Sequence, residues 1–578
     1  YFMKKTLLFL IVEIIISVSS IAQDFKSFNN TLWKGTDYQA TDSSLITYSV
    51  PEEYPYTQLK PTFNVSVDDV SYIGLYNDKN FWNGNVQFGY IDFTENRKPY
   101  VTIASEKKIN SFEILPHDAD ISDIEQTSRY VRFKINKPQQ NITIVFNGSY
   151  KGDILHLFCN KVEPKPQLTR FYNNRTHYDS RLGIYYFGPG YWDLNNISTF
   201  GGKLTVSGNR KVWIEGGAVV LGQINLSGSV SGDDCAKIYG HGIIMTSAET
   251  GGNSLNMSWT DAGKVDGIIV FTHGHSAWQT TFTECKNINV SNIKIIGTKY
   301  ASTDGMDLTR CINCTFDNIF VRSCDDAVAI KGLYDENIPI SECPPNTGLT
   351  FNRMQLWNDG NNAFGIGAET RASEFSNIKL TNSEILFSYD DPYYHERLDE
   401  RSAMNICALH GTYFHDITFE NIYVNRCERL IGMGFKESFW FGSIQGDQST
   451  DGGIRNVTFK NISCPNTSQS AIANSIRLYG WEKVGTPSKT ISDITFDHVS
   501  IEGQYVSSIS DRHIDISSHD MEKGLVKGLM FAPIQTSIKN TSFKDSDIQN
   551  GIYNINGTKT QKAAKGIYIK NGRKYINR

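Results

Sequence analysis

Three aspartates carry the clearest chemical signal in the sequence. Asp304 lies in Ser302-Thr303-Asp304-Gly305-Met306-Asp307, and Asp325 and Asp326 follow in Ser323-Cys324-Asp325-Asp326-Ala327-Val328-Ala329-Ile330-Lys331, 21 residues on from Asp304. If that interval is one turn of a stacked coil, the ~4.8 Å spacing of neighbouring strands gathers the acids on one face. Like charges held that close cannot all ionise cheaply, so one member has its pKa raised. A protonated carboxyl that donates to a leaving oxygen, beside ionised ones that activate water, is what hydrolysis of a glycosidic bond requires. The plainer reading makes Thr-Asp-Gly a turn and Asp-Asp a solvated corner. The pairing of the two segments one coil apart, ending in Ile330-Lys331, weighs against it.

The elements that must position these acids show as a repeat. Lys286-Asn287-Ile288-Asn289-Val290-Ser291-Asn292-Ile293 has counterparts at Phe414 to Ile422, Ile454 to Ile462 and Ile491 to Val499, with further copies beginning at Asn313 and Asn377. Each is a short strand followed by a polar corner, recurring at roughly 26–40 residues, enough for three short strands and loops of variable length. Helical periodicity is nearly absent, and the unequal intervals do not suit the equal blades of a propeller. The expectation is an all-β chain built on a right-handed parallel β-helix over residues 171–578. Ahead of it, residues 23–170 alternate in short stretches such as Tyr130 to Ile135 and Ile142 to Phe146, which reads as an N-terminal β-sandwich.

Residues 1–22 read as an export signal: Lys4-Lys5, an apolar run from Thr6 to about Val18, and small residues up to Ala22. Glu13 interrupts the run, which is shorter than the ~20 residues of a membrane span. The mature chain is therefore expected outside the cytoplasm, secreted or periplasmic or at the cell surface. The form of the signal points to a bacterial source, in which Asn-x-Ser/Thr triplets such as those at Asn64, Asn141 and Asn256 would not be glycosylated. Charged residues are 20% of the chain and the formal net charge is −5, which gives no support to a nucleic-acid partner. Ten cysteines are too dilute for a disulfide framework, and the single CxxC, Cys311 and Cys314, has no second ligand pair for zinc. They read as buried ladder residues or one or two disulfides.

The acidic segments resemble the catalytic motifs of the β-helical glycoside hydrolase clan that joins the polygalacturonase and dextranase families, over most of the chain after about Tyr185. Val212 to Val220 resembles the clan's strand before the site, and Ile238-Tyr239-Gly240-His241-Gly242 its Gly-His-Gly coil. The resemblance implies Asp325 as general acid, with Asp304 and Asp326 holding and deprotonating the water. It also implies an inverting outcome, with carboxyls ~6.5–9.5 Å apart. Two departures favour the dextranase-like side. Asn361-Asn362-Ala363-Phe364-Gly365 stands where polygalacturonases carry a Gly-His-Gly, and Asn405-Ile406-Cys407 where they carry an Arg-Ile-Lys that holds a uronate carboxylate. Without those cations a buried uronate lacks its partner, at a cost of several kcal/mol. The substrate implied is a neutral polysaccharide, an α-glucan in the dextranase-like case.

Around the acids, Lys331 suits a sugar hydroxyl or a charge partner for Asp326, and Asp307 either touches substrate or ties a turn. Glu369 and Arg371, in Glu369-Thr370-Arg371, resemble the ending of the dextranase coil, and Asp390-Asp391 adds hydrogen-bonding groups. Trp278, Tyr300, Trp357, Tyr393, Tyr394 and Trp440 are candidate platforms for the C–H face of a sugar. His273 and His275 form a His-Gly-His with no third metal ligand at suitable spacing. No cofactor is expected. Three other readings stay open: a polygalacturonase-like hydrolase; a polysaccharide lyase using calcium between Asp304, Asp325, Asp326 and substrate uronates; and a β-helix that binds glycans without cleaving them. Sugar, linkage, endo or exo mode and oligomeric state are not written in the sequence.

Overall fold

The computed structural model describes residues 38–39, 43–57, 61–228, 235–297, 299–332, 337–389, 401–439, 442–466, 475–532 and the strands within 552–577. Residues 1–22, read above as an export signal, lie outside these residues, as do Asp390, Asp391, Tyr393, Tyr394 and Trp440.

From Ile184 onward the repeat closes into coils. Each coil gives one strand to an 11-stranded sheet and two strands to a 22-stranded one, and pairing between coils is parallel throughout. In the later coils the two strands fuse into one long bent strand: Glu374–Ser388, Tyr413–Val424, Gly453–Cys464 and Thr490–Ile501. The result is the right-handed parallel β-helix read from the repeat. Register explains the repeated phrase. Ile417 pairs with Val457 and then Ile494, and Phe419 with Phe459 and then Phe496, so each inward apolar position stacks on its own kind. The Phe419, Phe459 and Phe496 rings lie 4.9 and 5.7 Å apart in near-parallel planes. They belong to a continuous core running from Phe187 to Val526.

The corners explain the asparagines. Asn292, Asn318, Asn382, Asn421 and Asn461 all have φ between 49° and 57°, a left-handed conformation that Asn tolerates better than most side chains. Asn318 donates to the Asn292 amide oxygen at 2.8 Å, Asn421 to Asn382 at 3.0 Å and Asn461 to Asn421 at 2.9 Å, a ladder up one edge of the coils.

Ahead of the coils, a five-stranded sheet (centred on Phe63–Val67, Tyr100–Ser105 and Tyr130–Ile135) and a six-stranded sheet (centred on Asn85–Phe93, Gln140–Phe146 and Ile154–Lys161) share one apolar cluster that includes Val65, Ile103, Phe133, Ile144 and Leu157. A separate cluster cements this region to the outside of the coils: Phe88 and Phe158 from the first part meet Phe271, Phe320 and Trp357 from the second. The parallel coils end at Val526–Phe531, short of the residue 578 expected from the repeat. Residues 533–578 form a second compact unit whose strands pair antiparallel, so its chain reverses instead of winding. All ten cysteines are buried and none is joined in a disulfide.

Candidate active site

The aspartates sit where the chain turns into the 11-stranded sheet. Met306–Thr309 pairs in register with Val328–Lys331, Met306 opposite Val328, so the residues just before each strand lie one above the other. Backbone bonds lock the two turns together: the Asp325 amide donates to the Thr303 carbonyl at 3.2 Å and the Gly305 amide to the Asp326 carbonyl at 2.8 Å. Gly305 is demanded by this stacking, because a Cβ there would stand 2.2 Å from Val321 and 2.5 Å from the Ala327 carbonyl.

One oxygen each from Asp304, Asp325 and Asp326 falls within 4.8 Å of the others. These are nearest oxygens, not the ~6.5–9.5 Å between whole carboxyl groups that the clan resemblance implies. The closeness is geometric: two members are sequence neighbours and the third stands on the adjacent coil at the same corner. All three side chains are buried. Asp325 accepts from the Ser302 amide at 2.8 Å, the Asp326 amide at 3.0 Å and Asn361 Nδ2 at 2.5 Å. Asp326 accepts from the Asn362 amide at 3.1 Å and from Asn362 Nδ2 at 2.8 Å. Lys331 donates to Asp304 at 2.9 Å and pairs with Asp307 at 2.9 Å, its ammonium 4.0 Å from the centre of the Trp278 ring.

Electrostatics follow from that packing. Burial, with Asp307 adding to it, raises Asp304 well above the usual carboxylate value, although Lys331 pulls the other way. Burial, and then the Asp325 charge, pushes Asp326 up to about 7. Asp307 is raised by burial against the pull of Lys331. Burial works against the Lys331 ammonium, yet Asp304 and Asp307 outweigh it and hold the proton on firmly. Four carboxyls and one ammonium share the site, so the corner takes up and releases protons as a coupled unit.

Of the other residues singled out, Glu369 borders the cluster: its charge raises both Asp307 and Lys331, and its carbonyl accepts the Gly332 amide at 2.7 Å. Arg371 follows on the same coil and donates to the Ile338 carbonyl at 2.5 Å. Tyr300 is 37% exposed, with the Lys299 ammonium 5.5 Å from its ring centre. Trp357 is not a sugar platform. It is fully buried, its indole N–H donating to Asp359 at 2.7 Å and its ring under the Arg322 guanidinium, because this strand faces the apolar seam. His273 packs against Tyr56, and His275 meets the Thr246 hydroxyl at 3.1 Å. His241 lies at the seam too, its ring 2.6 Å from Asp92.

Two residues at the centre of the site carried no positive signal. Asn361 and Asn362 were read only as a missing histidine, yet they hold Asp325 and Asp326 from the coil beyond. Their position at the same corner, one repeat later, was the available clue. As for a metal, the oxygens of Asp304, Asp325 and Asp326 could ligate a cation, but the Lys331 ammonium already supplies positive charge at Asp304.

Residues 193–350, which span all three aspartates and Lys331, match the family model described as Glycosyl hydrolases family 28. No curated protein matches the chain. Among solved structures the chain is similar to Dex49A from Penicillium minioluteum, with 13% identity, 86% of this chain and 99% of that one covered, and a TM-score of 0.51. It is also similar to the family 28 exopolygalacturonase of Yersinia enterocolitica, with 12% identity, 75% and 97% coverage and a TM-score of 0.33. The first of these likenesses shows the shared fold, a parallel β-helix, and the family match over the site agrees with the clan resemblance read from the motifs. No helix among the described residues is long and apolar enough to cross a membrane.

Proposed function

We propose that the protein is an exported glycoside hydrolase that cleaves a neutral polysaccharide, dextranase-like in its substrate, by inverting acid–base hydrolysis. The observation that carries this reading is the buried corner where Asp304, Asp325 and Asp326 converge within 4.8 Å with Asp304 and Asp326 held above the ordinary carboxylate value. Such a corner holds a proton near neutrality as a coupled set of carboxyls, and the reactive arrangement in this reading is the one with that proton on Asp325 and with Asp304 or Asp326 ionised. Asp325 protonates the glycosidic oxygen as its bond to the anomeric carbon breaks. The water held by Asp304 and Asp326 forms the new bond to that carbon and passes its proton to one of them. Lys331 keeps Asp304 able to ionise, and Asn361 and Asn362 fix the other two carboxyls. The neutral substrate is supported by Asn405, which stands on the 11-stranded sheet one coil beyond Gly365 where a uronate-binding cation would be needed.

The closeness of the three carboxylates also suits a cation, which favours the calcium-dependent lyase as second reading. One experiment separates the two. The purified protein is incubated with dextran, pullulan, other neutral glucans, galactan and polygalacturonate, with and without chelator. Reducing ends, absorbance at about 235 nm from unsaturated products and the anomeric configuration of the first product by NMR are followed. Hydrolysis of a neutral glucan with inversion, indifferent to chelator and lost in Asp325→Asn, is the expected result. Chelator-sensitive absorbance on polygalacturonate replaces it with the lyase.

A further inference from the structure

Where the chain leaves the 11-stranded sheet, on the side away from the aspartate turns, successive coils line an open cavity of about 560 Å³, and apart from Arg371 none of its lining belongs to the hydrolytic reading. It lies within the ~300–1,000 Å³ common for small-molecule sites. Ile338, Pro339 and Arg371 line it from earlier in the chain, and Tyr413, Asp447 and Asp451 come from the next coils.

These groups divide by chemistry. Tyr413 opens the strand Tyr413–Val424 with 40% of its surface exposed, and the Arg455 guanidinium sits 5.4 Å from its ring centre. An exposed aromatic already braced by a cation offers contact area at little ordering cost. With Ile338 and Pro339 it makes the apolar part. Asp447 is tied by the Ser449 amide at 2.8 Å, and Ser449 holds its carboxyl below the usual range, so it stays an acceptor. Arg371 is 7% exposed and anchored on the Ile338 carbonyl, a donor fixed in the wall. Two carboxylates disfavour an anion, the guanidinium disfavours a cation, and the charges disfavour an apolar guest. A pyranose fits all the walls: an apolar C–H face for Tyr413 and hydroxyls that donate to Asp447 and Asp451 while accepting from Arg371.

We propose that this cavity is a second, non-catalytic binding site for a neutral glycan segment. The inference rests on the carbohydrate reading of the protein. Arg371 lies two residues beyond Glu369, which borders the catalytic corner, so a polymer held in the cavity stays tethered beside the cleft at high effective concentration.

The test is retention of the full chain in native gels cast with dextran, pullulan or galactan, which reads binding without turnover. Wild type and Asp325→Asn are expected to be retarded alike by one polymer. Tyr413→Ala is expected to weaken that retention roughly tenfold. Asp451→Asn, isosteric and exposed, is expected to weaken it by a smaller factor without affecting folding. Both variants should lose kcat/KM on the polymer while keeping wild-type rates on a trisaccharide of the same sugar. Retention unchanged in both variants, or no retention of wild type by any polymer, overturns the second site and leaves the hydrolase reading standing. Retention that falls in both variants while no polymer is hydrolysed keeps the site and removes the hydrolase.

Discussion

Lys331 is the residue whose replacement tests the electrostatic account most directly. Its ammonium lies 2.9 Å from Asp304 and 2.9 Å from Asp307, with all three side chains buried. Removing one side of a buried pair costs roughly 3–5 kcal/mol when the remaining charge stays. The carboxyls can escape that cost by taking up a proton, and at ~1.36 kcal/mol per pKa unit it corresponds to a rise of about 2–4 units shared between them. Lys331 pulls both Asp304 and Asp307 downward, so its loss moves them up. In Lys331→Met, which keeps the length of the stem over Trp278, the base therefore ionises only at higher pH. The acidic limb of kcat/KM should move up by about 1–2 pH units, measured as reducing-end release across the acidic and neutral range. Stability gives an independent readout. Asp304 already has a folded value above its unfolded one, so the folded state binds more protons and stability falls as pH rises through that interval. The variant steepens this fall, and its melting temperature should approach wild type in acid and drop away at neutral pH. A kcat/KM lowered evenly at every pH, with the limb unmoved, would refute the reasoning and make Lys331 a ligand of the sugar.

Two further outcomes concern the scaffold. His241 is raised to about 9 because Asp92 and Glu163 outweigh its burial, so the stability it contributes is fully present below the ordinary histidine value and is lost as pH rises through about 9. His241→Gln should cost roughly 3 kcal/mol in mild acid and little above that upper value, read from melts at both pH values. Phe459→Ala removes the middle ring of the Phe419, Phe459 and Phe496 stack and should cost roughly 3–5 kcal/mol in chemical denaturation. A loss below about 1 kcal/mol would mean that the coils relax into the gap.

The coil architecture was legible because a β-helix writes the same demand at each turn. Inward positions must be apolar and the corner must tolerate a left-handed backbone, so Ile-Thr-Phe-x-Asn recurs and pairs with itself. The aspartates were legible for the same reason, their one-coil spacing being a local property. Contacts between distant segments left no such trace. His241 meets Asp92 across 149 residues, and nothing near either residue announces the other. Trp357 looked like a platform because aromatic type does not reveal which side of a strand faces the seam. Asn361 and Asn362 were misread for a subtler reason: attention fell on the histidine they replace, while their amides were the groups the carboxylates needed. The end of the winding was not legible, because Ile538-Lys539-Asn540-Thr541-Ser542-Phe543-Lys544-Asp545 still resembles the phrase and the repeat was expected to run to residue 578.

The asparagine ladder bears on a question that arises for any solenoid, namely what stops it from growing. A stack of identical coils behaves like a one-dimensional crystal, in which each finished layer is a template for the next, whether that layer comes from the same chain or another. In this protein the ladder stops before the stack does. The coil Thr490–Ile501 carries His498 at the ladder corner, with φ 56° like the asparagines below it, but its imidazole is bound to Asp497 and set edge-on to Tyr505. One shorter strand, Val526–Phe531, still pairs parallel on that coil, its last register pair being Phe531 with Phe496. Backbone pairing thus outlasts the side-chain ladder by one strand, and that final strand is too short to offer a full face to another layer.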